Sequence, residues 1–283
     1  MPHCKKNKNT TFFLNKFDTD KIQKIAHKIL ITPFSQMDSN LIKYSINKSR
    51  IRTVYKCEVE NQVYYIKKYI NTTKLKAVQD KLRGQRAVRN LRTHRKLQKS
   101  AIDTYEILFA MTDNTNFLNN PSLIVTKQYK GISLLDAIMN STSTGEKQAL
   151  FDIFIIFFSK LIQKRIYHRD PNLSNFVIEN DNIYLIDLDD IFFTRFSINK
   201  VLRINLIRLN YFLLWNYMHK SNIYLKIDRS DREYLIKNII RIVNPRLNSH
   251  KLWKNIEKKT RLNAGEVSNI LEVYKFQNKS QRG

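Results

Sequence analysis

"YHRDPNLSNFVIENDNIYLIDLDD", residues 167–190, holds Asp170, Glu179, Asp181, Asp187, Asp189 and Asp190 in a chain that is otherwise heavily basic. Across 283 residues, 50 Lys and Arg stand against 24 Asp and Glu, a formal net charge of +26. Acids gathered on one loop of so basic a chain call for a local reason. The stretch reads as a loop followed by a short hairpin, "NFVIENDNIYLID", with Asp170 and Asn175 on the loop. Asp187 follows directly on the apolar strand "IYLI".

Phosphoryl transfer from a nucleoside triphosphate needs such a set. The attacking hydroxyl needs a carboxylate to orient it and take its proton, and the phosphates need a fixed cation. Magnesium, a hard ion, prefers carboxylate, amide and water oxygens. His168-x-Asp170, Asn175 five residues on and Asp187 twelve residues after that supply two carboxylates and an amide. Taken singly, Asp170 and Asn175 are ordinary turn formers; their joint spacing with His168 and the strand-end Asp187 is what favours a site. Upstream, Lys67 ends the apolar strand "VYYIK", where its ammonium can enter a cleft. Lys68 is its neighbour, and strand alternation sends the two to opposite faces.

The rest of the chain gives these residues a frame. "FDTDKIQKIAHKILI" has helical spacing at Ile22, Ile25, Ala26, Ile29 and Leu30. "IRTVYKCEVENQVYYIKKY" reads as a β-hairpin around "ENQ". Residues 74–99 read as a strongly basic helix, with Ala87, Asn90, Leu91, His94 and Leu97 on one face. "YEILFAM" and "SLIVTKQY" read as strands, and "GISLLDAI" opens a helix. Two helices apolar around most of their circumference, "EKQALFDIFIIFFSKLIQKRI" and "KVLRINLIRLNYFLLWNYM", belong in a helical core. Residues 229–243 and 264–277 read as two further amphipathic helices, before a basic tail. A strand-rich first half and a helix-rich second half predict an α+β, two-lobed plan, whose cleft is a natural ligand site.

Composition narrows the function further. Cys4 and Cys57 form no metal-binding pair, which argues against a zinc or disulfide framework. The N-terminus lacks a signal-peptide pattern, and "LFDIFIIFFSKLI" is broken by Asp152 and Lys160 and too short to span a bilayer. These features predict a cytoplasmic protein. The positive charge suits polyanions, including an anionic membrane surface, although a Lys-, Asn- and Ile-rich composition alone also produces such a charge. No motif for reading nucleic acid is visible, so nucleic acid ranks last among partners.

With these residues in view, "YHRDPNLSNFVI" resembles the catalytic loop of the protein-kinase-like superfamily, "IYLIDLDD" its metal-binding strand end and "VYYIKKY" its lysine strand. "YYIKKY", "IDLDD" and "RINLIRLNYFL" resemble most the bacterial lipopolysaccharide core kinases, which phosphorylate Kdo or heptose. The resemblance implies a protein-kinase-like fold with a small β-rich N-lobe at 46–128 and a larger helical C-lobe at 129–283, after an N-terminal helical extension over 1–45. It implies use of ATP and Mg2+. Asp170 would be the base, with Asn175 and Asp187 holding the metal. Lys67 would contact the nucleotide phosphates and His168 would brace the loop. Asp189 stands where protein kinases carry Gly, and Arg203 matches a basic family position. The implied acceptor is a core sugar or another small or lipid-linked molecule, met at the inner face of the cytoplasmic membrane. The short interval after Asp187, without an APE-like sequence, leaves little room to dock a peptide.

Two departures from the family pattern stand out. "KSRIRTVYKCEV" has no glycine-rich phosphate loop, which leaves Arg50 or Arg52 to substitute. "RAVRN" places Asn90 where a glutamate would pair with the lysine. A non-catalytic, pseudokinase-type binder of lipid or protein is therefore the rival reading, beside a kinase of another small molecule.

Overall fold

The computed structural model describes residues 3–7, 10–14, 20–31, 42–46, 52–70, 84–113, 115, 121–219 and 227–263. The chain divides into two units, Met1–Lys130 and Gly131–Gly283.

The first unit is built on a hairpin. Strands β4 (Arg52–Val59) and β5 (Gln62–Tyr69) pair antiparallel through a two-residue turn, Glu60 and Asn61, both with positive φ (54° and 60°). Such a turn matches the natural twist of the strands it joins. Around the hairpin lie β1 (His3–Asn7), β2 (Thr10–Leu14), β3 (Ile42–Ile46), β6 (Ile107–Asp113) and β7 (Ser122–Lys127). The antiparallel sheet runs β1-β2-β6-β7-β5-β4-β3. The segment before residue 46 is thus more than the helical extension the sequence suggested, because β1 and β2 add to the β6 edge. Their short, partly polar sequences gave no clear alternation to read.

The two faces of this sheet are packed differently. Helix α1 (Asp20–Ile31) lays Ile22, Ala26, Ile29 and Leu30 against Tyr55, Cys57, Tyr64, Ile66, Met111, Leu123 and Val125. The expected helix at 74–99 is described from Arg86 only, as α2 (Arg86–Lys99). Gly84 has φ +84° and Gln85 is extended, so the helix cannot run through them. Residues 74–83 lie outside the described residues. The predicted inner face of α2, from Ala87 to Leu97, is buried as the spacing requires, and the helix packs on β6 and β7.

The second unit is mainly helical. Gly131 enters it where a Cβ would meet the Ile178 carbonyl oxygen at 2.0 Å, a contact only glycine permits. The short β8 (Ile132–Ser133) follows, pairing with β10 (Phe176–Glu179). Helices α3 (Leu134–Asn140) and α4 (Thr144–Gln163) start at the serine caps Ser133 and Ser143. Helices α5 (Ile198–His219), α6 (Arg229–Val243) and α7 (Ser249–Asn263) complete the layer. A half-buried Lys147–Asp231 ion pair of 2.9 Å ties α4 to α6. Phe151, Phe154, Phe158, Phe176 and Trp253 are fully enclosed in the core. The α7 helix was not foreseen, since its apolar positions Leu252, Trp253 and Ile256 are few among lysines. The helix expected at 264–277 lies outside the described residues. Among the described residues no helix is long and apolar enough to cross a membrane.

Candidate active site

Within the second unit the chain leaves α4 along β9 (Ile166–His168), makes an excursion, and returns as β12 (Ile191–Phe193), with His168 opposite Ile191. The excursion contains a 3-10 turn (Leu173–Asn175), then β10 and β11 (Asn182–Leu185) joined by a second turn of two positive-φ residues, Asn180 and Asp181. Closing the excursion brings Asp170, Asn175 and Asp187 into one neighbourhood.

Backbone hydrogen bonds fix that closure. Arg169 N–H donates to the Asp190 carbonyl at 2.9 Å, and Ile186 N–H donates to the Asn175 carbonyl at 3.1 Å. Asn175 N–H donates to the Asn172 carbonyl at 2.8 Å. The Asn175 side-chain amide donates to the Asp170 carbonyl at 3.0 Å. Asp187 accepts the Asp189 N–H through Oδ1 at 3.3 Å. Asp189 thus supplies a backbone donor to Asp187.

Electrostatics follow from burial. The Asp170 carboxyl is held above the usual carboxylate range, first by desolvation and then by the negative charge of Asp187, with hydrogen bonding to Asn175 pulling the other way. Its Oδ1 is buried with no hydrogen-bond partner. A carboxylate made more basic and left with an open oxygen can receive a proton. His168 is 1 % exposed, and neither ring nitrogen has a hydrogen-bond partner. Burial pushes its pKa down to about 4 against the opposing attraction of Asp187, so the ring is neutral at physiological pH. The ring packs on Phe176, 5.5 Å between centroids.

One residue that the sequence reading passed over holds the loop from behind. Asn205, fully buried on α5, accepts the His168 N–H through Oδ1 at 3.0 Å and donates to the carbonyls of Ile166 and Val201, both at 3.0 Å. Its signal was an amide inside the apolar run "RINLIRL". Arg203 of the same run is exposed.

The remaining candidates sit in the first unit. Lys67 and Lys68 point to opposite faces of β5, as alternation demands. Lys67 shares the α2 face, its ammonium 5.5 Å from the centre of the Tyr69 ring. Asn90, buried on α2, donates to the Tyr69 hydroxyl at 2.7 Å, so Tyr69 links the two positions. Lys68 lies on the α1 face, donating to the Ile29 carbonyl at 2.7 Å. Desolvation pushes its pKa down to about 8, opposed by Asp113. Arg52 opens β4 opposite Tyr69, and Arg50 lies outside the described residues.

A metal would find only oxygen donors here. Among the described residues no three His, Cys, Asp or Glu side chains gather into a metal-binding group. The Asn175 amide oxygen and the Asp187 carboxylate are a hard, sparse set of donors. Magnesium uses few protein ligands and fills its shell with water and phosphate, so this set fits it.

The sequence profile of the lipopolysaccharide kinase (Kdo/WaaP) family matches residues 42–235. The chain belongs to this family. As a lipopolysaccharide kinase it is a phosphotransferase, and the matched span takes in Lys67, Asn90, the acidic loop and Asn205. No protein of curated function matches it by sequence. Among solved structures it is similar to WaaP in complex with acyl carrier protein, at 15% identity and TM-score 0.53, covering 78% of this chain and 88% of that one. That likeness shows a shared kinase fold of mixed strand and helix. The bifunctional kinase-methyltransferase WbdD matches with TM-score 0.44 and 13% identity, over 75% of this chain and 48% of that one.

Proposed function

We propose that this lipopolysaccharide kinase transfers the γ-phosphoryl group of ATP, with Mg2+, to a hydroxyl of Kdo or heptose in the inner core. The observation that carries the reading is the meeting of Asp170, Asn175 and Asp187 on one braced excursion. Asp170 orients the sugar hydroxyl and takes its proton as the sugar oxygen bonds to phosphorus. The bond from that phosphorus to the β–γ bridging oxygen breaks, and ADP leaves with the electron pair. Asn175 and Asp187 hold the metal, which when bound neutralises phosphate charge. Lys67 contacts the phosphates, and His168 and Asn205 keep Asp170 in place. A lipid-linked acceptor and the excess of lysine suit work at the inner face of the cytoplasmic membrane. WaaP was solved with acyl carrier protein, which makes that protein the first macromolecular partner to assay.

The test is product formation from ATP by purified protein with Kdo, heptose and core oligosaccharides, beside Asp170→Ala. Turnover that needs an acceptor and falls about 10³-fold in Asp170→Ala is the expected result. Near-normal turnover in the variant would overturn the assignment. Asn90 in place of an acid motivates the rival, a non-catalytic binder. That rival predicts tight nucleotide binding with no acceptor phosphorylated and no gain from Asn90→Glu.

A further inference from the structure

The segment that follows the acidic loop, "IFFTRFSINKVLRINLIR" at 191–208, contains Arg195, Lys200, Arg203 and Arg208 and no acid. Interleaved with these cations are large apolar side chains left in solvent. Phe192 is 45% exposed, Phe196 44% and Phe193 37%. Phe192 stacks on Tyr167, with centroids 6.0 Å apart, and the Lys200 ammonium lies 3.8 Å from the centre of the Phe196 ring. Arg195, Lys200 and Arg203 are exposed beside them.

The same character continues along α5. Lys200, Ile204, Ile207, Arg208 and Tyr211 recur at helical spacing, so they form one stripe. The last four, with Tyr167 of β9 and Thr260 of α7, line a groove of about 500 Å³. Arg208 Nε donates to the Tyr167 hydroxyl at 3.4 Å, joining groove to aromatic patch. Aromatic rings in solvent cost free energy unless something apolar receives them. Aromatics interleaved with cations, on a segment that itself carries no acid, match the boundary between anionic headgroups and acyl chains.

We propose that Phe192 and Phe196, with Arg195, Lys200 and Arg203, form the surface by which the second unit docks on an anionic lipid bilayer. The reading deepens the proposed function and rests on it for the lipid-linked acceptor. Ile191, which opens this surface, pairs with His168, so docking sets Asp170 close to the bilayer where such an acceptor lies.

The test is co-sedimentation of the full chain with vesicles of phosphatidylcholine alone, or of phosphatidylcholine and phosphatidylglycerol in equal parts, without nucleotide or acceptor. Binding is expected only to the anionic vesicles. The Phe192→Ser/Phe196→Ser variant keeps the net charge of +26, yet its binding is expected to fall about tenfold. The Lys258→Glu/Lys259→Glu variant, altered on the exposed side of α7, is expected to bind more tightly than the phenylalanine variant despite its lost charge. The reverse order would mean general attraction of a basic protein and would overturn the proposal. Phe196→Trp gives a readout that does not depend on the serine variant folding. On anionic vesicles carrying brominated acyl chains its emission should be quenched beyond that of the parent protein. Absence of that added quenching, or binding of acyl carrier protein at this patch in place of vesicles, would also overturn it. Vesicle binding and sugar phosphorylation are read separately, so either can fail alone.

Discussion

The acidic excursion and the lysine strand carry their candidate chemistry in different ways. Between β9 and β12 each polar side chain hangs from backbone tied to its neighbours: Asn175 to Asp170 and Asn172, Asp189 to Asp187, Arg169 to Asp190. Much of the order there is dictated within a few residues, while the Arg169–Asp190 closure and the Asn205 brace come from farther along the chain. On β5 alternation sends Lys67 and Lys68 to opposite faces, but nothing local says what either face meets. What each meets comes from distant chain, the α1 carbonyl of Ile29 for Lys68 and, for Lys67, a tyrosine bonded to α2. One region writes its chemistry in sequence, and the other writes it in packing.

The comparison can be broken first at Asp187. Asp187→Asn keeps the shape of the excursion but removes a charge that burdens Asp170, so turnover should fall about 10³-fold while thermal stability is kept or raised. Steady-state rates beside a melting curve check both. A fall in stability would mean that the acids hold the loop together.

His168 gives the next largest effect. Its pKa of about 4 lies below the ordinary 6.5 of the unfolded chain, so between those values the unfolded state binds more protons. Stability is therefore full above pH 6.5, is lost as the pH falls, and levels off below about 4. The loss is on the order of 3 kcal/mol, reduced somewhat by Asp170, whose raised pKa acts in the opposite sense. Urea unfolding at a series of pH values should show it, and His168→Leu should flatten the curve.

The smallest effects sharpen the contrast on β5. Lys67→Met should lower turnover about 10²-fold with melting unchanged. Lys68→Met should leave turnover per folded molecule alone and cost about 1–2 kcal/mol, because the Ile29 carbonyl and Asp113 lose a partner. Equal losses of activity in both variants would erase the distinction between the faces.

This division also explains how much could be read in advance. The spacing of Asp170, Asn175 and Asp187, the β4–β5 hairpin and the inner face of α2 follow from short-range periodicity and turn chemistry. The β1 and β2 strands did not, since they join the sheet only through β2 on β6, about a hundred residues away, and their own alternation is weak. Asn205 was hidden for a similar reason. An amide in an apolar helix has no meaning until the β9 backbone is laid beside it. The exposed phenylalanines were invisible because sequence records hydrophobicity but not which apolar side chains the fold leaves uncovered.

Asn205 also sets an order of events during synthesis. By residue 190 the growing chain holds every acid of the loop, but the clamp on His168 N–H belongs to a helix made afterwards. A nascent chain ending there has the motif without its brace, and the loop can lock only when α5 docks. A competent loop therefore reports a folded helical layer.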